Sequence, residues 1–101
     1  MGIGFPKPQR IELPKYLKFV RQHPCLIKDC WKRTEAHHVV FDGQGRTGSK
    51  VSDFQTVPLC EEHHKLFHQC GRASFEFQFG LNLYQIIIDL LSEYLMNKEI
   101  A

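Results

Sequence analysis

The stretch from Pro58 to Cys70, PLCEEHHKLFHQC, places five candidate metal ligands (Cys60, His63, His64, His68 and Cys70) within eleven residues. An α-helix through this run fixes the angles between its donors, because neighbouring residues differ by about 100° while residues four apart share a face. His64 and His68 therefore form a pair on one face, and His63 points well away from them. The chain's other concentration of donors, Cys25, Cys30, His37 and His38, lies upstream. The segment reads as a bridge: one side closes a structural zinc site, and the other presents a catalytic metal.

A chain of 101 residues forms one domain whose core alone gives modest stability, so a metal clip would help. Hydrophobic residues make up 43% and charged residues 24%, as in ordinary soluble globular proteins, and no apolar run has the length to span a bilayer. Residues Met1 to Arg10 are broken by Pro6 and Pro8 and lack the apolar region of a signal peptide. The expected compartment is the cytoplasm, where four cysteines beside six histidines indicate metal ligation rather than disulfides. Net charge is only +2, but residues 1–50 carry ten Lys or Arg against four Asp or Glu, and residues 51–101 carry three against seven. A polyanion would be drawn to the first half.

Residues 1–14 hold three prolines and two glycines without periodicity and read as an arm ahead of a domain spanning 15–101. Pro14 suits the first turn of a helix to Gln22, with Leu17 and Val20, and Tyr16 and Phe19, at helical spacing and Lys15, Lys18 and Arg21 left for solvent. His23-Pro24 ends it. CLIKDC, Cys25 to Cys30, has the span of a knuckle that can place both sulfurs on one ion. Thr34 to Phe41 reads as a strand. The following loop, Asp42 to Lys50, has three glycines and carries Arg46 and Lys50. Phe54 to Leu59 reads as a second strand, with Pro58 demoting its end to an edge or a turn. A helix from about Glu61 to Gln69 stops at Gly71. The alternation of Phe75, Phe77 and Phe79 with Glu76 and Gln78 reads as a linker, and a last helix runs from about Leu83 to about Asn97 behind a capping-box-like Asn82 and Gln85. Leu83, Ile87, Leu90, Leu91 and Tyr94 form its buried stripe. Tyr84, Ile86, Ile88 and Leu95 exceed one face, which either closes the core or makes a homodimer contact.

Cys25, Cys30, Cys60 and His63 together supply three sulfurs and one imidazole, the donor set of a closed tetrahedral zinc site, with Cys70 and His23 as the alternative ligands. His64 and His68 need one more ligand to hold a catalytic ion with open positions, and His37 is the obvious donor. His37 and His38 are adjacent on a strand and point to opposite faces, so one binds the metal while the other takes a proton from water.

EAHHV at 35–39, the glycine loop with Gly48-Ser49-Lys50, and VPLCEEHH at 57–64 with His68 resemble the HNH nucleases of the ββα-metal fold, especially small phage and prophage members. The resemblance covers about residues 24–70 in order and spacing. It implies an α+β protein: a small ββα-metal (His-Me finger) core at about 34–70, a structural zinc knuckle, and flanking N- and C-terminal helices. On the matching positions, His38 is the general base, His37 the first metal ligand and His64 the closing ligand, with His68 as the additional helix histidine of colicin-type members. Gln55 stands where the family usually has a central Asn. Its longer amide either orients His38 or leaves that role to backbone carbonyls, and Asp53 is a nearby rival. The first cysteine spacing is longer than the family's knuckle, and one Cys is replaced by His.

The function implied is hydrolysis of duplex-DNA phosphodiester bonds with little sequence preference, in phage or mobile-element DNA processing. It would use a structural Zn²⁺ and a catalytic Mg²⁺, Mn²⁺, Ni²⁺ or Zn²⁺, while Arg46, Lys50, Lys15, Lys18 and Arg21 hold neighbouring phosphates. A non-catalytic zinc-binding module for nucleic acid is the chief rival, and an interaction scaffold built on the last helix is the third class.

Overall fold

A computed structural model of the chain describes residues 10–41 and 51–100. Among these residues the elements are α1 (Pro14–Arg21), β1 (Thr34–His38), β2 (Thr56–Cys60), α2 (Glu61–Cys70), α3 (Arg72–Phe79) and α4 (Leu83–Ile100). They form a small α+β fold: one two-stranded antiparallel sheet with helices packed on it. The glycine loop 42–50 and residues 1–9, including Arg46 and Lys50, lie outside the described residues.

Proline opens α1, where its missing N–H costs nothing, and the helix buries Tyr16 and Val20 while Lys15, Lys18 and Arg21 stay exposed. The end of α1 is tied to the start of β1, because the Thr34 hydroxyl donates to the carbonyls of Arg21 and His23 at 3.2 and 2.9 Å. Residues just before α1 are anchored as well. The Ile11 amide donates to Ser52 Oγ at 2.8 Å, and the Asp53 amide donates to the Ile11 carbonyl at 2.9 Å.

In the sheet, Thr34 pairs with Cys60, His37 with Val57 and His38 with Thr56. The first strand ends at His38, earlier than the β-branched run to Phe41 suggests, although Val39 still donates to the Gln55 carbonyl at 2.8 Å. The second strand is shifted by a residue or two and runs through Pro58 to Cys60. Each strand of a two-stranded sheet has a free edge, so a proline without an N–H is tolerated there. The Pro58 carbonyl is used by the knuckle, accepting from the Leu26 amide at 3.0 Å.

The expected linker after Gly71 is instead a helix, α3. Its phenylalanines follow a period near four: Phe75 is fully buried, Phe79 half-buried and Phe77 91% exposed. Phe75 packs on Phe67 of α2 at 5.0 Å and on Phe79 at 4.8 Å. An Arg72–Glu76 pair at 2.6 Å braces the same turn. Gly71 (φ 85°) and Gly80 (φ 64°) adopt the left-handed backbone that separates α3 from its neighbours.

The start of α4 is capped as expected, Asn82 Oδ1 accepting from the Gln85 amide at 3.1 Å. Leu83, Ile87 and Leu90 enter the core with Tyr16, Val20, Val57, Leu59, Phe67 and Phe75. Tyr94 adds an edge-on contact to Tyr16 at 5.0 Å. Tyr84, Ile88, Leu95 and Met96 remain exposed, so the core of one chain does not use up the helix's apolar surplus. Among the described residues no helix is long and apolar enough to cross a membrane.

Candidate metal centres

The junction of β2 and α2 carries the first centre. Cys60 is the N-cap of α2, its Sγ accepting from the His63 amide at 3.5 Å, so one sulfur both starts the helix and faces His63. Cys25 and Cys30 come from the loop between α1 and β1. That loop is folded back by the Cys30 amide on the Ile27 carbonyl at 3.1 Å and by Asp29 in the left-handed region (φ 65°), a conformation short polar residues tolerate. The donor atoms of Cys25, Cys30, Cys60 and His63 all lie within 4.8 Å of one another.

Two sulfurs about 2.3 Å from a tetrahedral ion would lie about 3.8 Å apart, and a sulfur and an imidazole nitrogen about 3.6 Å apart. The Cys30–Cys60 sulfurs are 3.8 Å apart, and His63 Nδ1 lies 3.5 Å from Cys25 Sγ and 3.2 Å from Cys60 Sγ. This Cys₃His cluster could bind a metal such as zinc, and its spacings fit a closed site. Burial pushes the Cys25 thiol up to about 11, so a proton sits there unless a cation displaces it. A backbone amide hydrogen bond at Lys32 pulls the Cys30 thiol down. The two alternative ligands are engaged elsewhere: Cys70 Sγ lies against the Gly71 carbonyl, and His23 sits between the Phe19 carbonyl and Glu93.

One residue further along α2, the helical phase turns to a second cluster. The donor nitrogens of His37, His64 and His68 also fall within 4.8 Å of one another, with His64 Nε2 and His68 Nε2 3.0 Å apart. His37 reaches them from β1, its ring edge-on to His64 at 4.2 Å and tilted against Phe67 at 4.4 Å. It is only 2% exposed, and neither ring nitrogen has a hydrogen-bond partner. Burial, then the neighbouring His64 and His68, push its pKa down to about 3, so it is a neutral imidazole at any ordinary pH. A buried imidazole with two orphaned nitrogens beside two other imidazoles has the donor chemistry of a three-histidine metal site with a position left open. Glu35 Oε1 stands 3.5 Å from His64 Nδ1, the arrangement that turns the opposite nitrogen of a ligand histidine toward an ion.

His38 faces away from that cluster, as strand alternation requires. Its Nε2 lies 2.8 Å from Asp53 Oδ1, and the side chain of Asp53 is 4% exposed. The Leu13 amide donates to the other carboxylate oxygen at 2.7 Å, and Arg10 approaches at 3.7 Å. Burial works to raise the Asp53 pKa, but the hydrogen bonds from His38 and Leu13 outweigh it and hold the carboxyl below its usual range. The Gln55 amide takes a different place, donating from Nε2 to the Val39 carbonyl at 3.1 Å and bracing the chain just past His38. Asp53 and Glu35 are thus the site residues that motif spacing alone does not single out. The available signals are a carboxylate two residues before Gln55 and another two residues before His37.

No solved structure matches the chain. It is 33% identical over 78 residues to the uncharacterized protein YdfU of Escherichia coli (strain K12), an alignment covering 77% of this chain and 22% of that protein. The chain therefore spans about a fifth of the length of this relative. The model of a family described as Protein of unknown function (DUF968) matches residues 3–96, nearly the whole chain, and the protein belongs to that family.

Proposed function

We propose that the protein is a metal-dependent endonuclease of the ββα-metal (HNH) type that hydrolyses phosphodiester bonds in DNA. One observation carries the reading: the orphaned, buried His37 joins His64 and His68 in an open three-nitrogen cluster, while its neighbour His38 points the other way onto a buried carboxylate. A hydrolase needs this division between a ligand that stays neutral and a base that moves a proton. The resemblance of the EAHHV and VPLCEEHH segments to that family supports the reading, in which β1, β2 and α2 would serve as its two strands and helix.

His37, His64 and His68 would hold the catalytic ion, whose chemistry is Lewis-acid stabilisation of charge growing on the phosphate and on the leaving oxygen. Three imidazoles favour zinc or nickel by affinity, and magnesium or manganese remain candidates for turnover. Asp53 fixes the ring of His38 through Nε2, which leaves Nδ1 to take the proton from the attacking water. Lys15, Lys18 and Arg21 are exposed on α1 and would contact phosphates without reading sequence. The Cys₃His centre would hold structural zinc, and its three thiolates suit the reducing cytoplasm.

The test is plasmid nicking by the zinc-loaded chain with each divalent metal added in turn. Wild type converts supercoiled plasmid to nicked or linear forms, and His38→Ala loses this activity while still binding DNA. His38→Ala cutting as well as wild type would remove the assignment.

A further inference from the structure

Trp31 is the chain's single tryptophan, and it is 80% exposed on the surface of the knuckle. Its stalk is stiff on both sides. Cys30, a ligand of the Cys₃His cluster, precedes it. The Lys32–Glu62 ion pair and the Thr34 hydroxyl, bonded to the Arg21 and His23 carbonyls, follow it. A large flat ring presented on a fixed stalk costs little further ordering when a planar partner arrives. Its surroundings favour an anion: Lys28, Lys32 and Arg33 are exposed within two or three residues on either side. An open cleft of about 660 Å³ takes part of its lining from the next two residues, Lys32 and Arg33, and the rest from the start of α2, including Glu61, Glu62, His63 and Lys65, and Lys32 pairs with Glu62. Lys65 and Gln69 directly follow His64 and His68 on α2, so the cleft runs along the face of α2 next to the one that carries the three-histidine cluster.

Within an intact duplex both faces of a base are already stacked, so a lone ring has nothing to stack on. An unpaired base offers its face to an aromatic side chain while cations track its backbone. We infer that Trp31 is a stacking platform for an unpaired DNA base, and that the substrate carries single-stranded character, such as a tail, flap or gap, beside the bond to be cut. This inference rests on the nuclease reading and names its substrate class.

Trp31 itself reports the test. The full zinc-loaded chain is titrated with a blunt duplex and with the same duplex carrying a single-stranded tail, following tryptophan emission and, separately, affinity by anisotropy of labelled DNA. The expected result is quenching by the tailed DNA and tighter binding of it than of the blunt duplex. Trp31→Ala then weakens binding of the tailed DNA by about five- to a hundredfold and loses the preference, while Trp31→Phe keeps most of it. Emission unchanged by tailed DNA that the protein nevertheless binds or cuts overturns the inference and leaves the nuclease reading standing. So does an equal affinity of Trp31→Ala for the tailed DNA, which would make the ring a protein-docking residue. Failure to bind or cut either DNA overturns both.

Discussion

Replacing His37 with leucine separates a metal ligand from an ordinary core residue more sharply than any loss-of-activity variant. In the structure the ring is 2% exposed, leans on Phe67 and leaves both nitrogens without partners. A buried polar atom left unsatisfied costs about 1–3 kcal/mol, and leucine of similar volume removes two of them at once. Without a second ion, His37→Leu should therefore be more stable than wild type by about 2–4 kcal/mol, which raises the melting temperature by about 10 °C or more in a domain of this size. The gap should widen in acid. The unfolded chain takes up a proton on His37 below its ordinary value of 6.5, and the folded chain does so only near 3, so wild-type stability falls as pH drops through that window. One pH unit below 6.5 this amounts to about 1.4 kcal/mol. With three ligands reduced to two, affinity for the second ion should fall by at least about a hundredfold. Calorimetric melting of protein holding one equivalent of zinc, at about pH 7.5 and about pH 5.5, gives the first two quantities, and titration with further zinc or nickel gives the third. A variant less stable than wild type, or one that binds the second ion as tightly, would show that the His37 nitrogens are not the orphans described.

Two further outcomes follow from the same geometry. Stripping the Cys₃His centre with a strong chelator should abolish the cooperative melting transition, because structural zinc contributes about 10–16 kcal/mol in small domains whose whole stability is about 5–15 kcal/mol. A metal-free chain that still melts within a few degrees of the loaded one would refute it. Asp53→Asn should lower the nicking turnover by about tenfold or more while leaving DNA affinity within about twofold, whereas Gln55→Ala should cost about 1 kcal/mol of stability by freeing the Val39 carbonyl and change turnover less. The reverse ranking would return the orienting role to Gln55.

The parts of this fold legible in the sequence are those whose signal is local. The phase of α2 follows from its residue spacing, and the two sets of donors at its start and along its face meet the upstream Cys and His residues as that phase requires. The N-terminal helix and the capped start of α4 are likewise local. The failure at α3 has a physical cause. Phe75, Phe77 and Phe79 alternate like a half-buried strand, but without a partner strand the alternation has nothing to pair with, and burying Phe75 against Phe67 selects the helix. The bracketing Gly71 and Gly80, with the eight residues of α3 between them, are the local sign of two helix ends. Asp53 was only a rival for Gln55 because its contacts are made far along the chain: 15 residues to His38 and 40 to Leu13. Spacing near the motif could not rank the two.

One short helix serving both clusters makes them unequal. A ten-residue helix is marginal in water by itself, and α2 is started by Cys60 as its cap and by His63 in its first turn, both in the Cys₃His set. His64 and His68 have their common face only if that start is fixed, since a frayed first turn lets His64 swing away from His37. Order at the Cys₃His centre is thus a precondition for the three-histidine cluster. The converse does not hold, because among the described residues the hydrogen bonds that join Cys25, Cys30, Cys60 and His63 involve neither His64 nor His68, which can be altered without releasing the cap. Binding at the two centres should therefore be ordered, with the thiolate site filled first and the histidine site gaining its affinity only afterwards.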